Sequence, residues 1–185
     1  TYNRSMKVRV PFTRDVQAVN QILDAVASES GMGVANRSER KSFEDRIRDA
    51  TSYEDAIATA RTYASSVEHD LRQGVASLNA LMSTLAGVEG KKILVLTSEG
   101  FPMQPGREVF TFVDEIAREK NWNAMGTSTF EGMHFDGTNL IQFVAKTANA
   151  NDITLYTIHA AGLSGSSVVS AENARPASAM VSDGA

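Results

Sequence analysis

Apolar residues recur at helical spacing along most of the chain and close up into short uncharged, strand-like runs at two places. From Tyr53 onward, Ala56, Ile57, Ala60, Ala64, Val67, Leu71, Val75, Leu78, Met82 and Leu85 follow one another at helical spacing, which predicts one long helix. Gly87 and Gly90 supply its stop. Val16, Val19, Leu23 and Val26 predict a shorter helix that Thr13 or Asp15 can cap and that stops near Ser30-Gly31. Phe43 and Ile47 begin another from Ser42. Val109, Phe112, Val113 and Ile116 mark the inner face of a helix that can start at Pro105. Leu140, Ile141, Val144 and Ala148 mark a last one behind Thr138. The two runs are Ile93-Leu94-Val95-Leu96, within KKILVLTSEGFP, and Ile153 to Ile158, ending at His159. The first, uncharged and without alternation, reads as a central parallel strand covered on both faces, and the second as another apolar strand of the same sheet. Alternation appears only at the start, where Met6, Val8 and Val10 oppose Lys7 and Arg9. With Thr1 to Asn3 across an Arg4-Ser5 turn, this predicts an edge hairpin ended by Pro11. Gly31 to Ser42 and Asn121 to Gly137 are polar and glycine-containing and read as loops, the second long enough to carry function.

Strands separated by helices predict an α/β fold with a mostly parallel sheet and right-handed crossovers. Two such strands and a hairpin make a thin sheet for so many helices, so further strands are expected. The long Tyr53 to Leu85 stripe could serve as a coiled-coil seam or an assembly surface, but its alanine content favours packing on the sheet and on the Phe43 helix. Residues 1–163 form one domain in this view. Residues 164–185, rich in Ser, Ala and Gly, read as a flexible tail or linker.

Composition narrows the chemistry. The 185 residues are 42% hydrophobic and 22% charged, the make-up of a globular domain. A net charge of -4 gives no overall basic field for nucleic acid. The positive run from Arg37 to Lys41, followed by Arg46 and Arg48, is interleaved with Glu39, Glu44, Asp45 and Asp49 and reads as a solvated face. The absence of cysteine removes disulfides and thiolate metal sites, and no apolar stretch reaches the ~18 residues of a membrane helix. Ser98 and His159, at two strand ends, could act as nucleophile and base of a hydrolase. The strand-turn-helix elbow, however, needs glycine two residues either side of the serine, and only Gly100 fits, Leu96 standing at the other position. The glycine runs Gly87 to Lys92 and Gly162 to Ser167 lack the spacing of phosphate loops. Ser98 and Glu99 offer a hydroxyl and a carboxylate, hard donors suited to Mg²⁺, Mn²⁺ or Ca²⁺. Further ligands would have to come from other strand ends; without them Ser98 caps the turn and Glu99 is solvated.

Taken together, TYNRSMKVRVPFTRD, GVEGKKILVLTSEGFPMQPG and ANDITLYTIHAAGL resemble, in order, motifs of the von Willebrand factor A (VWA) domain, most closely its bacterial VWFA-related branch. The resemblance implies a Rossmann-like three-layer sandwich with a metal-ion-dependent adhesion site at the carboxyl edge of the sheet. Glu99 stands where the last acid of that site stands, and Ser38 is the nearest hydroxyl to its second-loop threonine. The first strand, which carries DxSxS, is missing, so the fold is expected to be incomplete and its central strand supplied by upstream sequence or another chain. The resemblance further implies a non-enzymatic, protein-binding module, exported from the cytoplasm, whose partner meets Thr97, Gly100, Phe101 and the Asn121 to Gly137 loop, with a degenerate metal site at Ser98 and Glu99.

Overall fold

A computed structural model describes residues 1–2, 6–28, 32–98, 100–123 and 127–159 of the chain. In order, the elements are α1 (Val16–Ser28), α2 (Met32–Asp49), α3 (Tyr53–Leu85), β1 (Lys92–Ser98), α4 (Arg107–Glu119), α5 (Thr127–Gly132), α6 (Thr138–Ala150) and β2 (Ile153–His159). The protein is thus mixed α/β, with six helices and a two-stranded parallel sheet among the described residues. Lys92 pairs with Ile153 at one end of that sheet and Ser98 with His159 at the other. The tail at 164–185, the Ser30-Gly31 stop, the Arg4-Ser5 turn and Glu99 lie outside the described residues.

The long helix forms as its periodicity predicts. Ser52 caps α3 by accepting from the Asp55 amide, and Glu54 and Asp55 place negative charge in its first turn, where the helix dipole favours it. Its stripe serves two cores in succession. Ile57, Ala60, Tyr63 and Ala64 pack with Ile47 of α2 and with Val109, Phe110, Val113 and Ile116 of α4. One helical stretch further on, Leu71, Val75, Leu78 and Met82 pack with Val144 and Ala148 of α6, and Leu94, Leu96 and Leu155 of the sheet close this second core. The stripe therefore covers the sheet and the Phe43 helix rather than a coiled-coil partner.

Asn79 lies within α3 with both side-chain amide atoms buried and without a hydrogen-bond partner. Such groups cost about 1–3 kcal/mol each time water is not replaced. Asn79→Leu, which keeps the branched outline and removes the polar atoms, is expected to raise the stability by about 1–2 kcal/mol, read as a higher urea midpoint at unchanged m-value. A drop in the midpoint would show that the amide is satisfied in solution.

Four expectations need correction. First, β1 is not covered on both faces. Along β1 exposure alternates, with Leu94 and Leu96 facing α3 and α6 while Ile93 and Val95 are 68% and 55% exposed; Tyr156 and Ile158 of β2 share that open face at 56% and 54%. The sequence run hid the alternation because both faces are apolar. Second, the segment read as a loop at Gly31 to Ser42 is helical from Met32, continuous with the Phe43 helix in α2. Arg40 pairs with Glu44 one turn on, Arg48 with Asp45, and the Arg46 guanidinium lies 3.8 Å from the Phe43 ring centroid, so charge pairs and one apolar stripe sustain a helix with little hydrophobicity of its own. Third, the Asn121 to Gly137 loop contains α5.

Fourth, the expected strand from Met6 to Val10 does not form: a single antiparallel bridge, Tyr2 with Met6, supported by reciprocal bonds between Thr1 and Lys7, stands in its place and is not part of the sheet. The Asp15 carboxylate caps α1 by accepting from Gln17 and Ala18. No residue of α1 is buried, and Val16 and Leu23 of its apolar stripe are exposed. No described helix is long and apolar enough to cross a membrane.

Candidate functional site

Two loops meet at the carboxyl edge of β1. The first follows the strand. Ser98 Oγ accepts from the Gly100 amide at 3.1 Å, and Gly100 turns the backbone through φ 99°, a conformation that glycine adopts without cost. The chain then dips inward: Phe101 packs against the second core, its ring resting with that of Tyr2 beside Gly74 of α3. Buried Pro105 and Gly106 lead into α4, with Arg107 as its first residue.

The second loop descends from α5. That short helix is clamped from two sides. Asp114, a nearly buried carboxylate on the inner face of α4, accepts from the Ser128 hydroxyl and from Thr129 Oγ1 at 2.7 Å. From α3, Tyr53 bonds Thr127 at 2.6 Å, and Arg61 places Nε and Nη2 at 3.0 and 2.8 Å from one Glu131 oxygen. Beyond α5, Phe135 sits against Phe110, the ring centroids 5.8 Å apart. The loop ends on Gly137, whose amide donates to the Met103 carbonyl at 2.9 Å and ties the two loops together. A β-carbon there would lie 2.7 Å from the Pro102 carbonyl oxygen, so the close approach requires glycine.

Between the loops opens a cleft of about 540 Å³ lined by Met103, Gln104, Arg107, Met133, Asp136 and Thr138. Arg107 Nη1 donates to Gln104 Oε1 at 2.9 Å, which props the guanidinium at the cleft wall. Two acids stand close by, Glu108 next to Arg107 in sequence and Asp136 in the cleft lining, and both are bonded to groups other than Arg107. Glu108 accepts from the Tyr63 hydroxyl at 3.2 Å, and burial followed by the Glu108 charge push that phenol's pKa up. Asp136 accepts from the Thr138 amide at 2.8 Å at the start of α6. Hydrogen bonding by Thr138, side chain first and backbone second, holds the Asp136 carboxyl below its ordinary value.

The sign of that shift fixes a pH dependence. A carboxylate whose folded pKa is depressed stabilises the fold above its unfolded value of about 3.9 and loses that contribution as pH falls through the folded value. Asp136→Asn keeps an acceptor for Thr138 and removes only the charge. It is expected to melt lower than the parent above about pH 4 and to converge with it in stronger acid. Parallel melting curves across that range would contradict the assignment.

The other expected site residues are placed as follows. Thr97 points to the open face of the sheet with Ile93 and Val95, whereas Ser98 lies on the helix-covered face. Ser98 and His159 are direct register partners on adjacent strands. Ser38 falls within α2, not in a loop. Glu99 lies outside the described residues, and no group of three His, Asp or Glu side chains able to hold a metal occurs among the described ones. Met103, Gln104, Arg107, Met133 and Asp136 were not singled out by sequence, though Asp136-Gly137-Thr138, an acceptor ahead of a helix start, carries a capping signal. No family model, no curated protein and no solved structure matches the chain.

Proposed function

We propose that the chain is a non-enzymatic protein-binding module of the VWA-like, three-layer kind its motifs resemble, taking its partner at the carboxyl edge of the sheet, in the cleft between the two loops. The supporting observation is the make-up of that edge. Met103 and Met133 are exposed and line the cleft with Arg107, and methionine and arginine side chains are among the types enriched where proteins meet. Methionine in particular adapts its shape to an incoming side chain. Replacing Met103 and Met133 together by glutamate should abolish recovery of binders from a displayed library of random dodecapeptides while leaving the circular dichroism spectrum unchanged. Equal recovery from parent and variant would place the binding surface elsewhere.

In this proposal Ser98 and Glu99 are the donors for any Mg²⁺, Mn²⁺ or Ca²⁺, and calorimetric titration with Mn²⁺ before and after Glu99→Ala tests them. The exported location belongs to the same resemblance. One observation favours a second reading: the register sets Ser98 beside His159 on the neighbouring strand, as a hydrolase would need. Turnover of a panel of simple esters that vanishes in Ser98→Ala would establish it.

A further inference from the structure

We infer that the segment of partner seated in this cleft presents a carboxylate to Arg107, flanked by an apolar side chain that rests on Met103 and Met133. The inference rests on the binding reading above and specifies its ligand. Its ground is the state of the guanidinium. Arginine carries five N–H donors in a rigid fork. Gln104 Oε1 takes one of them, from Nη1, and among the described residues Arg107 has no carboxylate partner. This holds although acids stand beside it: Glu108, the next residue in sequence, bonds Tyr63, and Asp136, across the same cleft, bonds the start of α6. The bond from Gln104 fixes the fork without neutralising it. A cation oriented by a neutral neighbour and exposed at a cleft wall, with neither nearby carboxylate bonded to it, is suited to a planar anion from outside.

The rest of the lining selects among anions. Asp136 keeps its negative charge in the cleft, so a doubly charged phosphate would meet repulsion that a single carboxylate meets less. Met103 and Met133, both exposed, give the carboxylate's neighbour an apolar seat. A cleft of about 540 Å³ matches a few side chains of an extended segment. Aspartate or glutamate next to a leucine-like residue is therefore the pattern the surface fits.

The test selects displayed dodecapeptides against the full chain and then measures synthetic copies. Enrichment of an acid beside an apolar residue is expected. Changing that acid to its amide should weaken binding roughly 10- to 100-fold, the range of a charge-assisted hydrogen bond. In Arg107→Gln the acid and amide peptides should bind alike, and Arg107→Glu should turn the selected preference to lysine or arginine. Arg107 is exposed, so unchanged melting is expected for both variants. Selected peptides that lack an acid yet still need Met103 and Met133 would overturn the carboxylate and leave the binding edge standing. A phosphoserine peptide binding tenfold tighter than its glutamate counterpart would also overturn it. If no peptide is enriched over background, the binding reading fails and the inference with it.

Discussion

Gly106→Ala is expected to lower the stability of the protein by on the order of 3–4 kcal/mol, a large part of the 5–15 kcal/mol that holds a domain folded. Two costs meet at this residue. Its φ of 74° lies in the left-handed region, where a β-carbon costs about 1–2 kcal/mol. That β-carbon would also lie 2.6 Å from Ala64 Cβ and 2.7 Å from Ala64 Cα. Ala64 is fully buried on α3, and its backbone cannot yield without shifting the helix that carries both cores. Two other glycines separate the terms. Gly100 has φ 99° with open space around it, so Gly100→Ala should show the backbone cost alone. Gly87 has open space and no positive φ, so Gly87→Ala should change stability by less than about 0.5 kcal/mol. Urea unfolding of the three variants gives the order. Equal losses for Gly106→Ala and Gly100→Ala would mean that α4 does not start against Ala64.

This contact also shows what a sequence can and cannot disclose. The course of α3 was legible because its apolar spacing persists for 33 residues, and the pairing of β1 with β2 because both are short uncharged runs separated by helices. The start of α2 was not, because residues from Met32 to Ser42 have no apolar period and are held by charge pairs and by the later anchors Phe43 and Ile47. The uncovered face of the sheet was hidden for the opposite reason: Ile93 and Val95 are as apolar as Leu94 and Leu96, and pattern cannot say which pair is wet. In α4 the periodic positions were found but Phe110, the largest fully buried side chain, was missed. Asp114, a charge in the middle of that inner face, was the available sign of a polar clamp, and its partners Ser128 and Thr129 lie in a segment taken for loop. The cleft was least legible of all. It exists because the Gly137 amide reaches the Met103 carbonyl, a contact between two irregular segments that no periodicity links. What sequence did supply was its neighbourhood, the turn after β1 and the long connection before α6.

Phe110→Ala is expected to cost about 3–5 kcal/mol, the usual price of emptying a buried aromatic site. The larger consequence lies at the cleft. The Phe110 ring is fully buried, tilted against Phe135, and so close to Gly132 that a β-carbon there would lie 2.9 Å from it. It thus supports the end of α5 and the turn that follows, the segment that carries Met133 and Asp136 into the cleft. With the ring gone, Phe135 loses its stacking partner, and the Gly137 amide has less to hold it at Met103. Hydrogen exchange separates this local loosening from general destabilisation. Amides of the α3 core should lose protection by the global change alone. The Phe135 amide, bonded to the Gly132 carbonyl, and the Gly137 amide should exchange faster at urea concentrations too low to affect the core. Phe110→Leu, which leaves part of the contact, should fall between the parent and the alanine variant on both measures. If Phe135 and Gly137 instead keep their protection in Phe110→Ala, the turn is held by the Met103 contact and the α5 clamp, and the aromatic pair does not shape the cleft.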